Sequence, residues 1–217
     1  MSSSPTGRLQ EVADSFTAEI REIEAAFVLS DLTARVTGYV MPYVPHDDGC
    51  VVSLWDAWNR FLRRLSLTSC AGPVLGISGA TYSPASSLSE VNALSVVRLK
   101  QNRIQTVRGE PKWYNVTALS NILTVLGVQN NSVIIGAIGA TNISLGTLSV
   151  VNPLAEIQSI RNFIAHKHAS TLNDVRGYMG RGIVDVHAHL RERTVGGLPR
   201  FSEWIDVLVV LADAACS

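Results

Sequence analysis

Cysteine and net charge are both scarce in this chain, and each scarcity removes a class of protein. Cys50, Cys70 and Cys216 are odd in number and lack metal-type spacing. They exclude a disulfide framework and read as reduced, mostly buried thiols. Eighteen basic and eighteen acidic residues leave a net charge of zero, which argues against broad electrostatic capture of nucleic acid. No uninterrupted apolar run approaches the ~20 residues of a membrane span. The opening M-S-S-S-P-T-G has neither a basic lead nor an apolar signal core, so a cytoplasmic protein without membrane partners is expected. The run Gly76 to Thr81 (G-I-S-G-A-T) has no phosphate-loop Lys, which excludes a nucleotide-binding loop of that type.

What is present is helical periodicity. The hydrophobic share of 47% over 217 residues suits one domain, 1–217, with a sizeable core. Leu9, Val12, Phe16, Ile20, Ile23 and Phe27 mark a long amphipathic first helix, with Ser4 or Thr6 as cap. A second helix is expected over Asp31 to Val40, then a loop with Pro42, Pro45 and the turn His46-Asp47-Asp48-Gly49. Val51 to Leu67 is a third helix with Trp55, Trp58, Leu62 and Leu65 on one stripe. Arg60, Arg63 and Arg64 lie mostly off that stripe; Arg60 and Arg64 are either phosphate contacts or a surface cluster. Ser87-Leu88-Ser89-Glu90 is a capping box opening a fourth helix to about Gln101, followed by a loop around Gly109-Glu110-Pro111. Asn115 caps the next helix, Val116, Leu119, Ile122, Leu123 and Leu126 form its core face, and Gly127 ends it. Residues 128–151 are β-branched and Gly-rich and read as a short hairpin or a long loop. The chain is thus mainly α, with an irregular or short β insertion around 128–151. Ser170 or Thr171 caps a short helix to about Tyr178, Ile183 to Leu190 reads as a short strand or exposed arm, and Ser202 opens an apolar final helix.

The chemistry concentrates in Asn152 to His168, N-P-L-A-E-I-Q-S-I-R-N-F-I-A-H-K-H. Asn152 is a good N-cap, Pro153 fits the first helical position, and Glu156 meets the positive end of the helix dipole. Leu154, Ile157, Ile160 and Ile164 make one face apolar. Arg161, Asn162, His166, Lys167 and His168 crowd a fixed cation, an amide and titratable imidazoles into the last two turns. Such groups can hold a phosphate and move a proton beside it. At about 100° per residue Asn162 and His166 share a face, while Arg161 lies about 140° from His166. Arg161 therefore meets His166 only by bending round, by loosening of the helix, or across two packed copies. An interhelical polar pair that merely fixes the bundle is the structural alternative for Arg161 and His166. From Pro153 to Arg200 seven basic residues face four acidic ones, a local net of +3, as a localised RNA site would need.

The run Ser159 to His166 (S-I-R-N-F-I-A-H) resembles the R-x4-6-H motif of the HEPN superfamily, small helical bundles that are often RNases. Lys112 to Gly127 is similar to the helix that precedes the motif in some members, so the likeness covers about 112–180 within a motif-bearing half of about 112–217. The resemblance implies an HEPN-like bundle and a metal-independent endoribonuclease, a toxin or antiviral defence effector needing no cofactor. In such an enzyme the RNA 2′-hydroxyl attacks the phosphate and leaves a 2′,3′-cyclic phosphate. It further implies Arg161, Asn162 and His166 as catalytic residues, Lys167 and His168 as substrate contacts, and a homodimer with a composite site. An antitoxin or regulatory partner belongs to the same picture. In HEPN toxins controlled by nucleotidylation a Tyr stands two residues after the motif His; His168 stands there in this chain. The alternative within the family is a catalytically silent binding or dimerisation module.

A rival site lies downstream. Asp185-Val186-His187-Ala188-His189 resembles the first-strand D-x-H-x-H metal signature of amidohydrolases. On a strand His187 and His189 would share a face and a zinc, giving a small metal-dependent hydrolase. The barrel of that family needs about 200 further residues, whereas 28 follow His189.

Overall fold

The computed structural model describes residues 7–37, 45–104, 112–145, 148–179, 185–194 and 197–217, with backbone only at 33–37, 100–104 and 148–149. The fold is mainly α, with nine helices and only short strands among the described residues. In order these are β1 (Gly7–Arg8), α1 (Leu9–Thr37), α2 (Pro45–Ala71), β2 (Val74–Leu75), β3 (Thr81–Tyr82), α3 (Glu90–Ile104) and α4 (Val116–Val125). There follow α5 (Asn131–Ile138), β4 (Asn142–Leu145), β5 (Leu148–Val151), α6 (Pro153–His166), α7 (Ala169–Arg176), α8 (Val186–Arg191) and α9 (Arg200–Ala215). No helix among the described residues is long and apolar enough to cross a membrane.

The chain divides into two compact units, to each of which α1, α2 and α9 contribute a stretch. The first comprises the described parts of 1–16, 58–139 and 211–217. Its core is built on Phe16, Trp58 and Phe61, whose rings lie 4.7–5.6 Å apart, with Leu62, Leu65, Leu119, Leu123 and Leu126 fully buried around them. A small sheet of order β1-β2-β3 pairs Gly7 with Val74 in parallel and Val74 with Tyr82 antiparallel. The capping of α4 follows its sequence. Asn115 Oδ1 accepts the Ala118 N–H at 2.9 Å, and Gly127 takes φ +66° just beyond the C-cap. Asn115→Ala should therefore cost about 1 kcal/mol, seen as a lower denaturant midpoint at unchanged m-value.

The second unit comprises the described parts of 17–57 and 140–210. Phe27 stacks on Phe201 at 4.3 Å beside the buried Trp204. The segment 128–151 resolves into α5 and a two-stranded antiparallel hairpin, β4 on β5, registering Asn142 with Val151 and Ile143 with Val150.

Several local expectations are corrected. No break separates a helix at Asp31, because α1 continues unbroken to Thr37; residues 38–40 and Pro42 lie outside the described residues, as do Ser4, Thr6 and Gly109-Glu110-Pro111. The acidic turn is instead the first turn of α2, with Pro45 as its first residue and Asp47 and Asp48 at its positive end. Ser89, not Ser87, caps α3: its carbonyl accepts the Ala93 N–H at 2.8 Å and its Oγ the Asn92 N–H at 3.4 Å. His168, not Ser170 or Thr171, is the N-cap of α7. The described part of 183–190 is helical: Asp185 Oδ1 accepts the His187 N–H at 3.0 Å and opens α8.

Candidate functional site

Helix α6 carries the motif, and the backbone at both of its ends is unusual. Asn152 and Lys167, the residues that bracket it, are the two non-glycine residues with positive φ among those described, both at +49°. Asn152 is therefore not the side-chain cap expected, since a left-handed backbone carries its amide away from the helix start and it makes no capping hydrogen bond. Pro153 takes the first helical position as expected. Lys167 ends the helix, its N–H donating to the Phe163 carbonyl at 2.7 Å. A left-handed non-glycine residue costs about 1–2 kcal/mol. Lys167→Gly should consequently raise stability by up to about 1 kcal/mol, the gain being limited by glycine's greater freedom when unfolded; a thermal melt checks it.

One face of α6 is buried through Pro153, Glu156, Ile157 and Ile160, and Leu154 and Ile164 are half-buried beside it. Glu156 does more than meet the dipole, being 5% exposed and 2.8 Å from Nε2 of the equally buried His189. Arg161 and Asn162 are half-buried. The Arg161 guanidinium donates to Asn162 Oδ1 at 3.4 Å, while its Nε is buried without an acceptor. No hydrogen bond or ion pair joins Arg161 to His166 within the chain, as the 140° offset of about one and a half turns requires. His166, Lys167 and His168 are exposed. The two imidazole rings lie parallel, 5° between planes, with centroids 6.3 Å apart.

Lys167 leads inward. Its Nζ is 3.8 Å from Asp48 Oδ2, and Asp48 Oδ1 is 3.6 Å from His187 Nε2. On its other side His187 Nδ1 is 3.7 Å from Asp47 Oδ2. Asp47 is fully buried and pairs with Arg191 at 2.8 Å, and Asp31 stands near Arg191 and Arg193 at 3.9 and 3.6 Å. The carboxylate of Asp47 holds the His187 imidazole above its usual pKa, burial opposes this, and Asp48 and Asp185 add to the rise. This buried ionic set escaped the sequence reading. Its only signals were an Asp-Asp pair after a proline and an Arg close behind H-x-H.

The rival pair is not a shared site. On α8, residues two apart point about 200° from one another, so His187 turns to Asp47 and Asp48 while His189 turns to Glu156. Among the described residues no three His, Cys, Asp or Glu side chains are grouped to hold a metal. Burial works against the thiols as nucleophiles. Cys50, 3.7 Å from His46 Nε2, is pushed up to about 11 by burial, with Asp47 adding to the rise; burial likewise takes Cys216 to about 12. In the other unit Arg60, Arg63 and Arg64 line a groove of about 530 Å³ together with Leu67 and Ala71. Arg63 pairs with Glu90 at 3.1 Å and Arg64 donates to Ser15 at 2.8 Å, so part of this cluster serves helix packing.

Compared with known protein families, curated proteins and solved structures, the chain matches none.

Proposed function

We propose that the chain is a metal-independent endoribonuclease of the HEPN type, acting as a toxin or antiviral defence effector. The observation that carries this reading is the solvent-facing group at the end of α6. His166, Lys167 and His168 are exposed together, with Arg161 and Asn162 half-buried just before them and the Arg161 Nε still without an acceptor. An exposed imidazole suits proton transfer at neutral pH. The 2′-oxygen of a bound ribose attacks the adjacent phosphorus, His166 handles a proton, and the guanidinium of Arg161 stabilises the added negative charge. The P–O5′ bond breaks, leaving a 2′,3′-cyclic phosphate and a 5′-hydroxyl. Asn162 orients the phosphate, and Lys167 and His168 contact the strand.

Because Arg161 stays apart from His166 in its own chain, the guanidinium in each site comes from a second copy in a homodimer. An antitoxin or regulatory partner would then act by covering this end of α6. The Arg161–Asn162 hydrogen bond and the zero net charge favour, as a second reading, a catalytically silent module of the same family that binds or dimerises. Incubating the protein with a synthetic RNA in excess EDTA separates the two. Cleavage at the wild-type rate supports the ribonuclease, whereas intact RNA with a dimer in sedimentation supports the silent module.

A further inference from the structure

We propose that His166 and His168 of a single chain form one phosphate-binding pair that supplies both the base and the acid of the cleavage. The chemistry rests on the ribonuclease reading; the pairing rests on the backbone. On a continuous helix residues two apart point about 200° from each other, and these two imidazoles would face opposite ways. The helix stops at His166, Lys167 turns left-handed at φ +49°, and His168 is extended at φ −91°, ψ 155° as the N-cap of α7. That reversal lays the rings side by side, 5° from parallel and 6.3 Å between centroids. Thr171 fixes the backbone of His168, its Oγ1 accepting the His168 N–H at 3.2 Å and donating to the His168 carbonyl at 2.9 Å. Both rings are exposed, and in-plane N–H groups along one edge of the parallel pair can each donate to a different oxygen of a phosphate seated across that edge.

The step balances with these two groups alone. One neutral imidazole takes the 2′-OH proton as the 2′-oxygen bonds to phosphorus. The other, an imidazolium, gives its proton to the 5′-oxygen as the P–O5′ bond breaks. The pair ends with its protonation exchanged and is reset by water. A second copy is then needed for Arg161 and not for proton transfer.

Two variants isolate the backbone device. Lys167→Gly and Lys167→Val both remove the lysine charge, but glycine accepts a positive φ and a β-branched residue resists it. The ring protons of both histidines are followed by NMR at one pH while inorganic phosphate is added. In the wild type and the glycine variant both rings should respond with a single dissociation constant. In the valine variant, and at His166 in His168→Asn, the response should weaken at least tenfold. Separate constants for the two rings in the wild type, or identical behaviour of the glycine and valine variants, overturn the pairing.

Cleavage gives the second readout. His168→Asn, which keeps an N-cap residue, should lose about 10²–10⁴-fold in rate, as His166→Asn does. A mixture of these two variants should stay inactive. Cleavage by His168→Asn within threefold of the wild type, or recovery in the mixture, refutes a pair within one chain. If wild-type protein cuts no RNA at all, the ribonuclease reading fails, and the phosphate titration still decides the pairing.

Discussion

Replacing His166 by alanine should lower RNA cleavage by about 10²–10⁴-fold, the usual worth of a positioned general acid or base. The melting temperature should move by less than about 2 °C, because an exposed side chain outside the core contributes within about 0.5 kcal/mol. The separation of the two effects follows from position. His166 is exposed at the last residue of α6, with its ring 6.3 Å from that of His168. A purely structural polar pair between Arg161 and His166 would behave otherwise, losing stability with whichever partner was removed. Initial rates on a labelled RNA, with a thermal melt of the same preparation, read both quantities.

The largest stability effect is expected at Asp47. This carboxylate is fully buried, 2.8 Å from the Arg191 guanidinium, 3.7 Å from His187 and 3.4 Å from the Ser30 hydroxyl that donates to it. Asp47→Ala leaves Arg191 with the Ser30 hydroxyl at 3.4 Å and the more distant Asp31 carboxylate at 3.9 Å, and a poorly compensated buried charge costs about 3–5 kcal/mol. For a chain of this length the melting temperature should fall by roughly 10 °C. The pH dependence has a definite sign. His187 has a folded pKa above its unfolded value near 6.5, chiefly because of Asp47. Its stabilising contribution is therefore complete below about pH 6.5 and disappears as pH rises through the folded value. Wild-type stability should decline over that interval, and Asp47→Ala should flatten the decline. Urea midpoints measured across pH 5 to 9 test both statements.

The helices that the sequence displays best are those with long periodic stripes. Leu9 to Phe27 and Val116 to Val125 are helical as their spacing requires, and Asn115 and Gly127 flank α4 as their chemistry dictates. The failures have physical causes. Pro-His-Asp-Asp is the composition of a turn and equally of a helix N-terminus, and only tertiary packing of Asp47 against Arg191 selects the second. Ile183 to Leu190 alternates like a strand, yet Asp185 caps a helix there and the two histidines find carboxylates brought from Asp47, Asp48 and Glu156. Arg161, Asn162 and His166 stand out in the sequence through the longer HEPN-like run rather than through spacing, and they lie in the last two turns of α6. The parallel placement of His166 and His168 does not stand out there, because nothing about a lysine announces a left-handed backbone at Lys167.

An all-DNA oligonucleotide carrying one internal ribonucleotide, incubated with the protein in excess EDTA, puts the reaction to the most direct test. A single cut 3′ of the ribose, leaving a 2′,3′-cyclic phosphate and a 5′-hydroxyl, is the expected result. Cutting of the all-DNA control, 5′-phosphate ends, or cleavage that appears only after a divalent metal is restored would contradict it.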